Sequence, residues 1–299
     1  MRRQLFTCVL FLLILSPFAD GHAQEIAIIR SAGIKPYHEV VRGFRNACKA
    51  DAAEFTISGP GEKETFEKIR KINPGLILAV GLEALSRARK MSGIPVIYTM
   101  VSNPRSFLID QKNITGVSMN VPAERQLRAL LEIVPRVKRI GVVYDSRKTA
   151  QLFGDARSAA SSLGIAVISK NVSSSKEVPS AINGMKGRID AFWLLPDTTV
   201  VTPESMEHLL LFSFENKLPT LAFSDRYVEF GFLMALGIDA GDIGRQAGEI
   251  ACEVLRGGDI SATPMAQPEK AVLILNLKTA GKLGVHIPED VARHSRIIR

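Results

Sequence analysis

The feature that most constrains this chain is a regular alternation. Short apolar runs recur from Glu25 to Asp239, and stretches with apolar residues every three or four positions lie between them. The runs are EIAIIRS from Glu25, LILAVG from Leu76, PVIYTMV from Pro95, ITGVSMN from Ile114, RIGVVYD from Arg139, IAVISKNV from Ile165, AFWLLPD from Ala191, PTLAFSD from Pro219 and FLMALGID from Phe232. Most lack polar alternation, the pattern of strands covered on both faces. The intervening stretches, such as VVRGFRNACKA, AERQLRALLEIV, GDARSAASSLG and IGRQAGEIACEVLRGG, carry helical spacing. Strand and helix repeated this often predict an α/β protein with parallel sheets and right-handed crossovers. The runs are too numerous for one comfortable open sheet. They divide more naturally into two, one up to about Ser118 and one after it, with RSFLIDQKNITG as the loop before the first crossing.

The N-terminus reads separately. Arg2 and Arg3 precede an apolar stretch from Leu5 to Leu15, and small residues lead to Ala23, the plan of a secretory signal cleaved before Gln24. The apolar stretch is shorter than the ~20 residues a membrane span needs. Cys8 lies inside that stretch and not at its end, which argues against a lipid-anchored cysteine. The expectation is an exported, soluble protein.

Hydrophobic content of 46% and charged content of 23% are those of a globular protein. The net charge of +8 is scattered, without basic runs or aromatic interleaving, so nucleic acid is not expected as a partner. Cys48 and Cys252 follow the signal; they either pair in an oxidising compartment or remain as buried thiols. Neither belongs to a CxxC, and the histidines are isolated, so no metal or cofactor is expected. The chain has no GxSxG, GxxxxGK[ST], HExxH or GxGxxG after the first strand. Gly241, Gly244 and Gly248 recur along a helix and suit close packing better than phosphate binding.

Ligands of open parallel sheets gather beyond the carboxyl ends of the strands. That rule selects Ser31, Gly81, Ser102 with Asn103, Tyr144 with Asp145, Asp197, and Ser224 with Asp225. Thr202 and Pro203 read as N-cap and first residue of the helix after Asp197. A carboxylate in such a cleft suits a ligand ammonium, whereas serines and helix-start N–H groups suit a carboxylate, a combination that fits an amino acid or similar zwitterion. Asp197 also admits a local reading, as a turn acid after Pro196. Paired acids at strand ends leave an enzyme as an alternative, but no motif supports one.

NITGVS from Asn113, RIGVVYD from Arg139, WLLPDTTVVTPE from Trp193, PTLAFSDRYVEFGFLMALG from Pro219, IGRQAGEIACEVLRGG from Ile243 and LILNLKTAGKLGVHIP from Leu273 together carry a family likeness. The chain resembles the ABC-transporter substrate-binding family with the type I periplasmic-binding-protein fold, whose suspected ligands include aromatic amino acids. The resemblance implies two Rossmann-like lobes joined by three crossings, residues 24–118 plus 239–262 and residues 119–238 plus 263–299. It implies a monomer that delivers a small organic ligand to a membrane ABC permease; a ligand-sensing subunit for a membrane receptor would use the same fold. Asp197 becomes the first choice for the ligand's ammonium and Asp225 the second. Ser31, Gly81, Ser102, Asn103, Gly116 and Val117 map to the first lobe's side of the cleft, and Tyr144 faces them. Trp193 reads as core. Two departures stand out: GLEALS has Leu82 where relatives often carry a hydroxyl, with Glu83 beside it, and Ser102-Asn103-Pro104 replaces Ser-Asp-Pro.

Overall fold

The computed structural model describes residues 26–57, 62–102, 104, 108 and 111–298. The expected signal segment and Asn103 lie outside the described residues. The chain opens with β1 (Ile26–Arg30), α1 (Lys35–Ala47), β2 (Ala52–Thr56), α2 (Glu62–Ile72), β3 (Leu76–Val80), α3 (Leu82–Ala88), β4 (Val96–Thr99) and β5 (Ile114–Gly116). These strands form one parallel sheet in the order β2-β1-β3-β4-β5. Leu76 to Val80 are buried without exception, because helices cover both faces of the central strands.

A second sheet follows, built from α4 (Ala123–Ile133), β6 (Arg139–Tyr144), α5 (Ser146–Ser162), β7 (Ala166–Asn171), α6 (Val178–Asn183), β8 (Ala191–Trp193), α7 (Pro203–Glu215), β9 (Thr220–Ala222), α8 (Asp225–Phe230) and β10 (Met234–Ile238). The chain then returns to the first sheet as α9 (Ala240–Leu255), which packs on α1. It finishes in the second sheet with β11 (Ala271–Asn276), α10 (Leu277–Leu283), α11 (Glu289–Arg293) and β12 (Arg296–Ile298). The second sheet has the order β12-β11-β10-β9-β8-β6-β7. The two-sheet α/β architecture is the one the alternation predicts.

One pairing departs from an all-parallel expectation: β11 runs antiparallel to β10. The cause is the excursion through α9. The chain leaves the second sheet at the carboxyl end of β10 and comes back to the same end, so β11 must start there and run the other way. Because β12 is parallel to β11 it runs in the same direction, with its first residue, Arg296, beside Ile274.

Three passes join the lobes, at 117–122, at 239 and at 263–270. The outer two pair as Val117 against Ala266, and the Ser118 N–H donates to the Ala266 carbonyl at 2.9 Å. Arg125 of α4 donates to the Pro268 carbonyl at 2.8 Å, and Gln246 of α9 donates to that of Gln267 at 2.9 Å. The last pass is thereby tied to both lobes.

The α1/α9 contact explains the glycine spacing. Val40, Val41 and Phe44 bury one stripe of α1, each worth about 1.5–3 kcal/mol when fully removed from water. Opposite them, a Cβ on Gly244 would stand 2.0 Å from the Val40 carbonyl oxygen, and one on Gly43 would stand 2.0 Å from that of Gly241. The backbones touch, so these glycines serve packing. Thr202 caps α7, its hydroxyl accepting from the Ser205 N–H at 3.2 Å ahead of Pro203.

Candidate functional site

A cleft of about 1350 Å³ separates the two lobes. Its second-lobe wall comes from strand ends: Leu195 and Pro196 after β8, Phe223, Ser224 and Asp225 after β9, Leu236 to Ile238 on β10, Val272 and Ile274 on β11, and Arg296 on β12. The first lobe contributes Met100 and Ser102 after β4, Pro36, Glu39 and Arg42 of α1, and Asp239 to Gly241 at the start of α9. Lys148, Thr149 and Leu152 of α5 close one flank.

Asp225 and Arg296 face each other across that wall. The Arg296 Nη2 donates to Asp225 Oδ2 at 2.6 Å, and the side chains are 50% and 46% exposed respectively. Ser224 adds its hydroxyl to Asp225 Oδ1 at 3.0 Å. Partial burial works to raise the Asp225 carboxyl, but the guanidinium and the hydroxyl outweigh it and hold the group below its ordinary value. The pair is charged, poised and half in water, so a polar ligand can reach either member.

Asp197 stands differently. It is 1% exposed, and its Oδ2 accepts from the Asp145 N–H at 2.7 Å and the Thr149 hydroxyl at 2.5 Å. Its Oδ1 accepts from the N–H groups of Thr199 at 2.8 Å and Val200 at 3.2 Å. A carboxylate offers about four acceptor positions, and here the chain fills them. In place of the expected free carboxylate there is a knot that ties the β8–α7 loop to the start of α5. Neighbouring Asp145 completes it: Arg147 pairs with both its oxygens, and the Thr199 hydroxyl donates at 2.8 Å. The Arg147 guanidinium holds the Asp145 carboxyl far below the usual carboxylate range.

The other sequence-selected residues divide into those that line the cleft and those spent on the fold. Ser102 and Ser224 line it with Asp225. The Ser31 hydroxyl accepts from the Ala84 N–H at 2.9 Å, satisfying the first turn of α3. Gly81 precedes that turn with φ of 96°, where a Cβ would meet Ser31 and Tyr37 at 2.6 Å, so only glycine fits. Leu82 is 53% exposed on α3, away from the cleft wall. Gly116 packs against Tyr98, and Val117 is fully buried in the first-lobe core. Tyr144 stacks on Phe153 with ring centroids 3.9 Å apart, also outside the wall. Trp193 lies in the second-lobe core, as its place in the strand predicts, but its edge borders the cleft and its indole N–H donates to Gln126 at 3.0 Å. Sequence reasoning missed Arg296 and Lys148. Arg296 is reached only through the reversal of β11, and Lys148 sits in the first turn of α5.

Two α/β lobes with a ligand-sized cleft between them and three chain crossings define a type I periplasmic-binding-protein fold. The chain belongs to the ABC transporter substrate binding protein family, whose pattern it matches over residues 58–296. It is 30% identical over 194 residues to a tyrosine-binding protein of Clostridioides difficile, an alignment covering 62% of this chain and 56% of that relative. The chain thus spans just over half the length of that relative. Among solved structures it resembles the ligand-free, open form of a substrate binding protein with adhesive properties from Clostridium difficile. The TM-score is 0.75 at 25% identity, over 92% of this chain and 99% of that one. An ABC domain from Streptococcus pneumonia in complex with L-Trp matches with a TM-score of 0.60 at 24% identity, over 91% of this chain and 100% of that one.

Proposed function

We propose that this chain is an exported solute receptor whose cleft captures an amino acid or related zwitterion for an ABC importer. The carrying observation is the Asp225–Arg296 pair on the cleft wall. A zwitterion can replace both halves of that pair at once, its ammonium meeting Asp225 and its carboxylate meeting Arg296, so no charge is left buried alone. Phe223, Leu195, Leu236 and Val272 offer the side chain an apolar surface. The tyrosine named for one relative and the L-Trp bound to another solved protein support this class of ligand.

The volume supports capture by closure. Small-molecule pockets run to about 1,000 Å³, and this cleft is larger. A ligand touching both walls prefers the closed state and shifts the population toward it. The first-lobe partner groups in that state are Ser102, on the loop after β4, and the start of α9, where Asp239 caps the helix. The assignment takes residues 1–23 as the export signal and the protein as a monomer without nucleic-acid or catalytic role, with lobes divided at 118, 239 and 262. Asp197 is reassigned from ligand contact to support of the cleft wall, because Thr149 stands between it and the cleft.

A thermal-shift screen of the mature protein, unfolded and refolded to strip carried ligand, tests the proposal. An amino acid at ~100 times its dissociation constant adds about 2.7 kcal/mol of stability. A panel in which only uncharged solutes raise the melting temperature would overturn the zwitterion reading.

A further inference from the structure

Cys48 and Cys252 are separated by most of the chain, yet the fold brings them together. Cys48 ends α1 as its C-cap residue and is 1% exposed. Cys252 lies in α9, one turn beyond Gly248 on the same helix face. At Gly248 the helices are in backbone contact: a Cβ there would stand 2.7 Å from the Phe44 carbonyl oxygen, 2.9 Å from the Ala47 Cβ and 3.3 Å from the Cys48 nitrogen. The Cys252 Sγ is accordingly 4.0 Å from the carbonyl oxygen of Ala47, the residue joined to Cys48 by that peptide bond. Both stand as thiols in this structure.

We infer that Cys48 and Cys252 form an intramolecular disulfide that staples the C-terminal end of α1 to α9. The two thiols differ in access, and this sets the order of the chemistry. Cys252 is half-buried and borders a surface groove with Glu249, Glu253 and Arg256, so an external disulfide reaches it first. The Cys252 thiolate attacks one sulfur of that oxidant; a mixed disulfide forms and the first thiolate leaves. The Cys48 thiolate then attacks the Cys252 sulfur, forming the bridge and expelling the second thiolate. Two electrons and two protons pass from the cysteines to the oxidant, which ends as two thiols. Burial and the neighbouring Cys252 push the Cys48 thiol up to about 11, so its thiolate fraction, and with it the second attack, rises with pH.

The position gives the bridge its consequence. The α9 segment belongs to the first lobe only by packing, since the chain enters it from β10 of the second lobe and leaves it toward β11. A bond between Cys48 and Cys252 makes that attachment covalent and closes a loop of roughly two hundred residues, where the chain-entropy effect of a cross-link is large. It lies on the helix pair, away from the cleft wall, so it leaves ligand binding free to operate.

The test is performed on the full mature chain. Reduced protein is incubated with oxidised glutathione at neutral and mildly alkaline pH, denatured, treated with a maleimide, and its intact mass recorded. The inference predicts that labelling falls from two thiols per chain to none, with loss of two hydrogens and no retained glutathione, and that closure is faster at the higher pH. Cys48→Ser keeps one glutathione on Cys252, which the parent releases. Two reactive thiols after the incubation, or a glutathione adduct that persists in the parent, overturns the inference. Ligand binding measured on the same samples is independent of this result.

Discussion

Replacing Asp197 with alanine separates two roles that sequence alone leaves open. If the carboxylate holds the loop, its loss is a stability event. Four donors converge on it, but two have other acceptors: the Thr149 hydroxyl also donates to the Asp145 carbonyl at 3.2 Å, and the Val200 N–H to the Asp197 carbonyl at 3.2 Å. The N–H groups of Asp145 and Thr199 are left without a partner. An orphaned buried donor costs about 1–3 kcal/mol, so Asp197→Ala should destabilise by about 2–6 kcal/mol, with water entering the gap favouring the lower end. For a chain of this size each kcal/mol lowers the melting temperature by roughly 2–4 °C, so a loss of at least about 4 °C is expected. Ligand-free protein is the sample, followed by circular dichroism through a thermal melt. Asp197→Asn should also destabilise, because its amide NH₂ faces donors on whichever side it lies. Melting within about 1 °C of the parent, together with lost ligand affinity, would refute the reasoning and return Asp197 to the ligand.

Three further substitutions test the packing and the charge pattern. Gly244→Ala should destabilise by about 1–3 kcal/mol or more, the cost of overpacking, because the Val40 backbone blocks the new methyl. Gly281→Ala in α10, where nothing lies within 4 Å, should instead stabilise by roughly 0.5–1 kcal/mol; denaturant melts of the two variants in parallel read both signs. In the pH profile, Asp145 and Asp225 have folded values below their unfolded ones, so the unfolded chain binds more protons as acid is added. Their contribution is complete above the ordinary carboxylate value of about 3.9 and is lost as pH falls through the folded values. Asp145→Asn should flatten that acid limb in a urea series from pH 6 downward, and an unchanged limb would contradict the Arg147 pairing.

How much of this was legible in the sequence depends on what each residue does locally. Strands buried on both faces announce themselves: Leu76 to Val80 and Val96 to Thr99 read as continuous apolar runs because helices cover each side. The edge strand β2, AAEFT, is half-buried and carries a glutamate, and β12 is three residues long, so neither rises above the surrounding pattern. The strand-end rule leads to the cleft, since Ser102, Ser224 and Asp225 border it. It cannot distinguish a polar side chain aimed at the cleft from one consumed within its loop. Ser31 accepts an N–H of α3 and stands outside the cleft lining, and Asp197 is filled by four donors spread from Asp145 to Val200. The Thr199 and Val200 donors are local, as the turn-acid reading after Pro196 has it, but the Asp145 and Thr149 donors come from the packing of β6 and α5 beside β8, which no local spacing encodes. Arg296 shows the opposite case, a cleft residue whose place follows from the antiparallel return of β11.

Calorimetric titration of ligand-stripped protein with the amino acid found by screening, in the parent and in Asp225→Asn and Arg296→Gln, tests the central claim most directly. The account predicts saturable one-to-one binding in the parent. Each substitution should weaken it at least tenfold, equivalent to about 1.4 kcal/mol, and the zwitterion should lose affinity when either its amine or its carboxylate is blocked. Undiminished affinity in both variants would show that the ligand does not use the Asp225–Arg296 pair, and would contradict the account.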